Sequence, residues 1–348
     1  MPRLVALSAA GDDFIAALTA AWDAGDAVLP VDPRLPADAR VRLLDRLGAG
    51  EDVEPGDALV VATSGTTGEP RGAVLTHDAL AAAARSTSRR VDVDPEVDRW
   101  LACIPLAHVG GLGVVVRALL TGTPYVVRER FEHGTGATLV SLVPAQLQRF
   151  DVSEFRTVLL GGQAPPTEVP ANVVATYGMT ETGGGVIYDG LPLDGVEVRV
   201  AEDEHIWLRG PTLLRAYRDG TDPKDARGWL DTGDLGALGA DGRLTVFGRS
   251  GEMIVTGGEK VWPRPVEQAL LQHPAVADAA VAGRADAEWG QRVVAYVVPR
   301  DRAAPPSLET LREAVKDHLP AYMAPREVVA VDALPRTPLG KVQRDRLS

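Results

Sequence analysis

The segment TSGTTGEPRG, Thr63 to Gly72, places four hydroxyl residues and three glycines in ten positions, directly after the apolar run ALVVA. Glycines permit close backbone approach, and converging hydroxyls and amides form a concavity for an anion, with phosphate the natural guest. The kinase-type phosphate pattern G-x-x-x-x-G-K-[ST] cannot be laid over it, because Gly68 is followed by Glu69, Pro70 and Arg71. Alone, such a cluster also reads as a surface turn. A second stretch, TYGMTETGGG from Thr176 to Gly185, offers an aromatic ring, a hydroxyl and a carboxylate within five positions. Tyr177 could stack on a base, and Glu181 could hold a hard cation through oxygen. A third, GWLDTGDLG, carries Asp234 after a tight turn. A carboxylate there could accept both hydroxyls of a ribose, or serve as an ordinary turn acid.

These stretches need a scaffold, and the chain supplies alternating elements. Residues 12–24 place Phe14, Ile15, Leu18, Ala21 and Trp22 at helical spacing, and ADARVRLLDRL repeats the pattern after Pro36. Short apolar runs follow, ALVVAT, RWLACI, TPYVVR, ATLVSLV, TVLLGG and NVVATYG, each closed by glycine, proline or a hydroxyl. Helical stretches such as THDALAAAARSTSRRV lie between them. The alternation predicts an α/β domain with mainly parallel sheets, whose ligands bind beyond the carboxyl ends of the strands. From about Gly195 the alternation approaches period two with frequent glycine turns, which predicts a β-rich subdomain over about 195–248. After Arg249 the runs VEQALLQHPAV, ADAAVAG, QRVVAYVVP, LETLREAVKDHL and REVVAVDAL predict helix, strand, strand, helix, strand. That is a small α+β domain. We place the boundary at GRSGE, giving a large domain over 1–248 and a small one over 249–348.

With 348 residues, more than one core is expected. A composition 45% hydrophobic and 24% charged suits a globular protein. The formal charge of −12 argues against a nucleic acid or an anionic membrane surface as the main partner. The single cysteine, Cys103, can close no intramolecular disulfide and reads as core. No apolar run approaches the length of a membrane span, and the acids in MPRLVALSAAGDDF interrupt any signal-like region, so a cytoplasmic location is expected.

Taken in order, the motifs resemble those of the adenylate-forming family of acyl-CoA synthetases, adenylation domains and luciferases. TSGTTGEPRG resembles its phosphate loop, YGMTE its nucleotide and magnesium motif, and DTGD its ribose motif. GRSGEMIVTGGEKVWP resembles its interdomain hinge and following loop, and PRTPLGKVQR its C-terminal lysine motif. Within the family, SLVPAQLQRF, YGMTETGGGVIYDGLPLDGV and the short length most resemble the ligases that join coenzyme A to 2-succinylbenzoate in menaquinone biosynthesis. Another aryl- or acyl-CoA ligase, or a stand-alone acid-adenylating enzyme, is the alternative. The pocket strand TVLLGGQ shows no acid placed for a substrate amine, and no carrier-domain serine motif follows Lys341. A nucleotide-binding member without turnover would be expected to lack Glu181, Asp234 or Lys341, and all three are present.

The resemblance implies two half-reactions, acyl-adenylate formation from ATP with Mg2+ and then thioester formation with coenzyme A. By the same resemblance, Thr63, Ser64, Gly65, Thr66, Thr67 and Gly68 hold the β- and γ-phosphates, with Arg71 where the family usually has lysine. Arginine presents a planar fork instead of a point charge. Glu181 binds the metal and Thr180 approaches the α-phosphate. Tyr177 and Gly178 flank adenine opposite Gly162 and Gln163 of the GGQAP segment, and Asp234 and Arg249 take the ribose hydroxyls. Lys341 bridges the substrate carboxylate and the α-phosphate. The small domain rotates about Gly251, where the family commonly has aspartate or lysine, to present Lys341 first and then the loop containing Gly257 and Gly258. His108 occupies the position of a gate beside the acyl pocket, or is a partly buried core histidine. Ser141, Gln146, Gly183 and Gly184 are further pocket candidates. With the phosphate loop at residue 63, the N-terminal part is abbreviated. Members occur as monomers or dimers, so the resemblance leaves a homodimer open.

Overall fold

A computed structural model of the chain describes residues 1–64, 70–166, 168–336 and 342–347. Two compact units emerge: residues 1–199, 207–231 and 239–244 form the first, and residues 200–206, 232–238 and the chain from Thr245 onward form the second.

In the first unit, a four-stranded sheet orders Leu4–Ser8, Ala27–Val31, Asp57–Ser64 and Pro70–Thr76. The first three strands run parallel and the last is antiparallel to its neighbour. The helices Gly11–Asp23 and Ala37–Arg46 fall where helical spacing predicts them. Leu4, Leu29, Leu43, Leu47, Val60 and Val74 close one core between these elements. The strands Leu4–Ser8 and Ala27–Val31 are five residues each, too short for a periodic signal, and the second contains Pro30. Proline cannot donate to a ladder. Pro30 is accommodated because pairing with Asp57–Ser64 is confined to Val28 and Leu59, whereas Pro30 aligns with Leu7 on the other side.

A seven-stranded sheet follows, in the order Leu191–Pro192, Gly184–Tyr188, Val173–Met179, Thr157–Leu160, Leu139–Leu142, Trp100–Ala102 and Tyr125–Val127. Its five strands from Val173–Met179 to Tyr125–Val127 are parallel, and the two at the other edge are antiparallel. Parallel strands are buried on both faces, and Leu101, Cys103, Val140, Leu142, Val158 and Leu160 are accordingly all inside. The helix His77–Arg90 starts because the Thr76 hydroxyl accepts the Ala79 N–H at 3.1 Å. Asp78 in its first turn and Arg89 and Arg90 in its last complement the helix dipole. The helix Val109–Thr121 stops at Gly122, whose left-handed conformation satisfies the end.

From Glu197 onward, the period-two alternation corresponds to the strands Glu197–Val200, His205–Arg209, Leu230–Leu238 and Leu244–Arg249. The second unit contains a five-stranded sheet in which Val276–Asp286 and Gly290–Pro299 pair antiparallel and Glu327–Ala330 adds in parallel. The helices Pro263–Leu271 and Leu308–Lys316 contribute Val266, Leu270, Leu311 and Val315 to a core with Ile254, Val281 and Val293. This is the predicted helix, strand, strand, helix, strand order. Among the described residues, no helix is long and apolar enough to cross a membrane.

Candidate active site

Thr63 and Ser64 end the strand Asp57–Ser64, and Pro70 begins the next, with Thr63 opposite Arg71 and Ser64 opposite Pro70. Gly65, Thr66, Thr67, Gly68 and Glu69 connect them and lie outside the described residues. Of the segment that resembles a phosphate loop, Pro70, Arg71 and Gly72 are strand. The edge of this hairpin is extended by the segment Arg215–Arg218. The Arg215 N–H donates to the Val74 carbonyl at 2.9 Å, Val74 N–H to Ala216 at 3.0 Å, and Arg218 N–H to Gly72 at 2.7 Å. Tyr217 is thereby brought beside Arg71. The Arg71 guanidinium lies 3.7 Å from the centre of the Tyr217 ring, and its Nη2 is 3.1 Å from Asp219 Oδ2.

The strand Val173–Met179 delivers Thr176, Tyr177, Gly178 and Met179 to the carboxyl end of the parallel sheet, where the short turn Thr180–Thr182 follows. Buried Thr182 holds that turn, its hydroxyl accepting the Met179 N–H at 2.9 Å and donating to the Gly184 carbonyl at 2.6 Å. Two glycines are structurally required. A Cβ at Gly178 would overlap the Gly184 carbonyl oxygen, and Gly183 takes a left-handed φ of +69° to reverse the chain. Glu181 projects from this turn, and Tyr217 donates its phenol to Glu181 Oε1 at 2.9 Å. The Glu181 carbonyl accepts the Leu214 N–H at 2.7 Å. Burial first, and then the Glu181 carboxylate, push the Tyr217 phenol well above its ordinary range, so it remains a donor. Among the described residues no three His, Cys, Asp or Glu side chains converge on a metal position. A single carboxylate suits magnesium, which binds one or two carboxylates plus substrate phosphates instead of an all-protein cage.

The helix Val109–Thr121 presents its Gly113 position to the Gly183 carbonyl oxygen, 3.9 Å from where a Cβ would stand. Arg117, one turn further along the same face, is a residue that sequence reasoning missed. Its guanidinium lies 4.4 Å from the centre of the Trp100 ring, and Nη1 is buried without a hydrogen bond among the described residues. The residue as a whole is half-buried. Burial depresses its pKa, with Tyr188 as a partial counterweight. Tyr188 in turn shares a 3.1 Å hydrogen bond with Thr87. The available signal was one arginine inside the apolar helical run VVVRALL.

His108 precedes this helix with Nε2 buried and without a hydrogen bond among the described residues. Burial lowers its pKa, the Asp32 charge opposes that, and Arg34 reinforces it. Asp32 and Arg34 themselves form a two-point pair at 2.9 and 2.7 Å. Ser141 is buried in the strand Leu139–Leu142, and Gln146 accepts the Val143 N–H. Gly162 and Gln163 follow the strand Thr157–Leu160, whose last residue Leu160 aligns with Ala175, two residues before Tyr177.

In the second unit, Asp234 is buried and paired to Arg249, Nε to Oδ1 at 3.0 Å. Arg249 Nη1 also donates to the Thr232 carbonyl at 2.7 Å, and the Thr232 hydroxyl accepts the Asp234 N–H at 3.1 Å. Gly251 is exposed in the turn Ser250–Glu252, and Gly257 and Gly258 join the strands Ile254–Thr256 and Glu259–Val261. Lys341 lies outside the described residues, but its neighbours are tied down. Arg336 pairs with Asp278 at 2.7 Å, and Arg344 with Glu267 at 2.7 Å and Glu252 at 3.1 Å. Cys103 is buried and its thiol is pushed up to about 12 by burial, as a core residue requires.

The sequence pattern of the AMP-binding enzymes matches residues 48–218, and that of the AMP-binding enzyme C-terminal domain matches residues 265–341. A probable 2-succinylbenzoate–CoA ligase of Mycobacterium tuberculosis is 43% identical over 337 residues, covering 88% of this chain and 87% of that protein. The 2-succinylbenzoate–CoA ligase of Listeria monocytogenes is 30% identical, over 83% of this chain and 69% of that protein. Among solved structures, the Bacillus subtilis o-succinylbenzoate CoA synthetase in complex with its acyl-adenylate intermediate superposes with a TM-score of 0.89 at 27% identity, covering 100% of this chain and 88% of that one. The same enzyme with ATP and magnesium gives 0.87 at 27% identity, covering 99% and 89%. The chain belongs to the adenylate-forming AMP-binding enzymes, in the branch of the 2-succinylbenzoate–CoA ligases.

Proposed function

We propose that the chain is an AMP-forming acid–thiol ligase that converts 2-succinylbenzoate, ATP and coenzyme A into succinylbenzoyl-CoA, AMP and pyrophosphate, a step of menaquinone biosynthesis. The observation that carries the reading is the Glu181 carboxylate, held just beyond the carboxyl end of a parallel strand and tied through Tyr217 to the hairpin bearing Thr63–Gly72. A carboxylate is a poor acylating agent, and joining it to AMP supplies the leaving group.

In this reading Thr63 to Gly68 receive the β- and γ-phosphates, Thr180 approaches the α-phosphate, and Tyr177 and Gly178 face adenine with Gly162 and Gln163. Glu181 is the protein ligand of magnesium, which when bound neutralises charge on the departing pyrophosphate. Asp234, already fixed by Arg249, accepts the ribose hydroxyls. Lys341 bridges the substrate carboxylate and the α-phosphate. The domain boundary at 248/249 serves as the pivot, with Gly251 beside it, and the Gly257–Gly258 turn serves the thioester step. His108, Ser141, Gly183 and Gly184 line the acyl pocket. His108 is neutral, as its burial favours, and so adds no charge there.

The acid carries a second carboxylate, which we set against Arg117. Its guanidinium has no hydrogen bond to a described residue and shares a helix face with the position that meets Gly183. A planar fork suits a carboxylate better than any other cation in the protein repertoire. A cytoplasmic setting agrees with the use of ATP and coenzyme A, and the charge of −12 agrees with small-molecule partners instead of nucleic acid or membrane.

The test is ATP-dependent pyrophosphate release over a panel of aryl, fatty and amino acids. The reading requires 2-succinylbenzoate to be the preferred acid. Release with another acid and none with 2-succinylbenzoate would overturn it.

A further inference from the structure

We propose that Tyr217 is a positioning residue for metal binding. It holds the Glu181 carboxylate in one orientation before magnesium arrives, and Arg71 acts by fixing the Tyr217 ring. The inference rests on Glu181 being the protein ligand of the metal.

Glu181 is gripped twice by one short segment, at its carbonyl by the Leu214 N–H at 2.7 Å and at Oε1 by the Tyr217 hydroxyl at 2.9 Å. No second hydrogen bond reaches this carboxylate among the described residues, so Oε2 is the oxygen left for a cation. The gripping segment is not a free loop. Arg215, Ala216 and Arg218 are bonded to the strand Pro70–Thr76, and Tyr217 bridges to Ala73. The orientation of Glu181 is thus referred to the same hairpin that carries the hydroxyl-rich residues.

Arg71 completes the arrangement. Its guanidinium covers the Tyr217 ring at 3.7 Å and is held by Asp219 at 3.1 Å. Here the arginine reads as a prop for the ring. A cation on the ring face limits the tilt of the phenol and strengthens it as a donor. Lysine, a point charge on a flexible stem, would cover the ring less completely.

Magnesium tolerates little departure from octahedral geometry, so an oriented carboxylate binds it better than one that must be ordered on binding. Groups that orient a metal ligand typically contribute about 10- to 100-fold in metal affinity. Only one protein carboxylate is involved here, and the phosphates share the metal. We therefore expect the lower end, about tenfold, for Tyr217→Phe.

The experiment measures the affinity of a non-hydrolysable ATP analogue with Mn2+ and again with EDTA. The ratio reports how much the metal tightens nucleotide binding. Tyr217→Phe keeps the ring and its stack, and it should lose about tenfold of that tightening while the EDTA affinity is unchanged. Arg71→Met should lose part of it in the same direction. Adding Tyr217→Phe to Glu181→Gln should remove nothing further. Equal weakening with and without metal would make Tyr217 merely structural, and no weakening would leave it without a role; either overturns the proposal. If Glu181→Gln retains full tightening, the assignment of Glu181 itself fails, which separates the two ideas. Should Tyr217→Phe lower the melting temperature, the comparison remains decisive, because a folding defect lowers both affinities.

Discussion

Replacing Arg117 by methionine should improve or preserve stability while selectively damaging one substrate. In the free protein the guanidinium is stacked on Trp100, its Nη1 is buried without a hydrogen bond to a described residue, and burial depresses its pKa. Replacing buried ionic groups by apolar side chains of similar volume is often neutral or stabilising by about 1–4 kcal/mol, and the half-buried Arg117 belongs at the low end. The lost stacking costs up to about 2 kcal/mol. These nearly cancel, so the melting temperature should stay within a few degrees or rise. With the diacid bound, the balance reverses, because the substrate carboxylate is left desolvated without its partner. Breaking a buried charge pair costs about 3–5 kcal/mol. Allowing for residual water, about 3–4 kcal/mol corresponds to a loss of about 10²–10³ in kcat/KM. The assay compares 2-succinylbenzoate with its two mono-acid analogues, each lacking one carboxylate. One analogue, still carrying the carboxylate that is adenylated, should be used about equally by both proteins. Arg117→Lys should fall between, retaining charge without the fork. If the diacid and that analogue lose rate equally, or if the variant unfolds, the charge-pair reasoning is wrong.

Three further outcomes follow from the same geometry. Lys341→Ala should slow adenylate formation by about 10²–10³ while largely sparing thioester formation from preformed acyl-adenylate, and equal loss of both would end that division of labour. Gly178→Ala forces a Cβ onto the Gly184 carbonyl oxygen. A destabilisation of about 1–3 kcal/mol is expected in urea melts, with weaker nucleotide binding because Glu181 follows three residues later. For buried Asp98, burial opposes ionisation, but the hydrogen bonds from Arg156 at 2.6 Å and Thr138 at 2.7 Å outweigh it and hold the carboxyl below its unfolded value of 3.8. Asp98→Asn should cost about 2 kcal/mol near neutral pH, tempered by the exposure of Arg156. That stabilisation is present above about pH 4 and is lost as pH falls through the folded value, so wild type and variant should converge in acid melts.

The parts of the site legible in the sequence are those whose chemistry is local. Thr63 to Gly72, Tyr177 to Glu181 and Asp234 each carry their meaning in a few consecutive residues. Arg117 and Tyr217 do not, since their roles depend on packing. An arginine in an apolar helix becomes informative only when the facing helix position is known. Tyr217 acquires its partner through a strand addition linking residues 72–74 to residues 215–218. The fold divides in the same way. Long periodic helices such as Gly11–Asp23 and Leu308–Lys316 are evident from apolar spacing. The strands Leu4–Ser8 and Ala27–Val31 are too short for periodicity to register, and Pro30 argues against the second until the one-sided pairing is seen.

The central claim is that one chain makes an acyl-adenylate of 2-succinylbenzoate and passes it to coenzyme A. Mass spectrometry of a reaction with 2-succinylbenzoate, ATP and Mg2+ tests it directly. Without coenzyme A, the mixed anhydride with AMP should accumulate to about one equivalent of enzyme; coenzyme A should then convert it to the thioester with release of AMP. ADP as the nucleotide product, or a thioester formed without a detectable adenylate in single-turnover samples, would contradict the account.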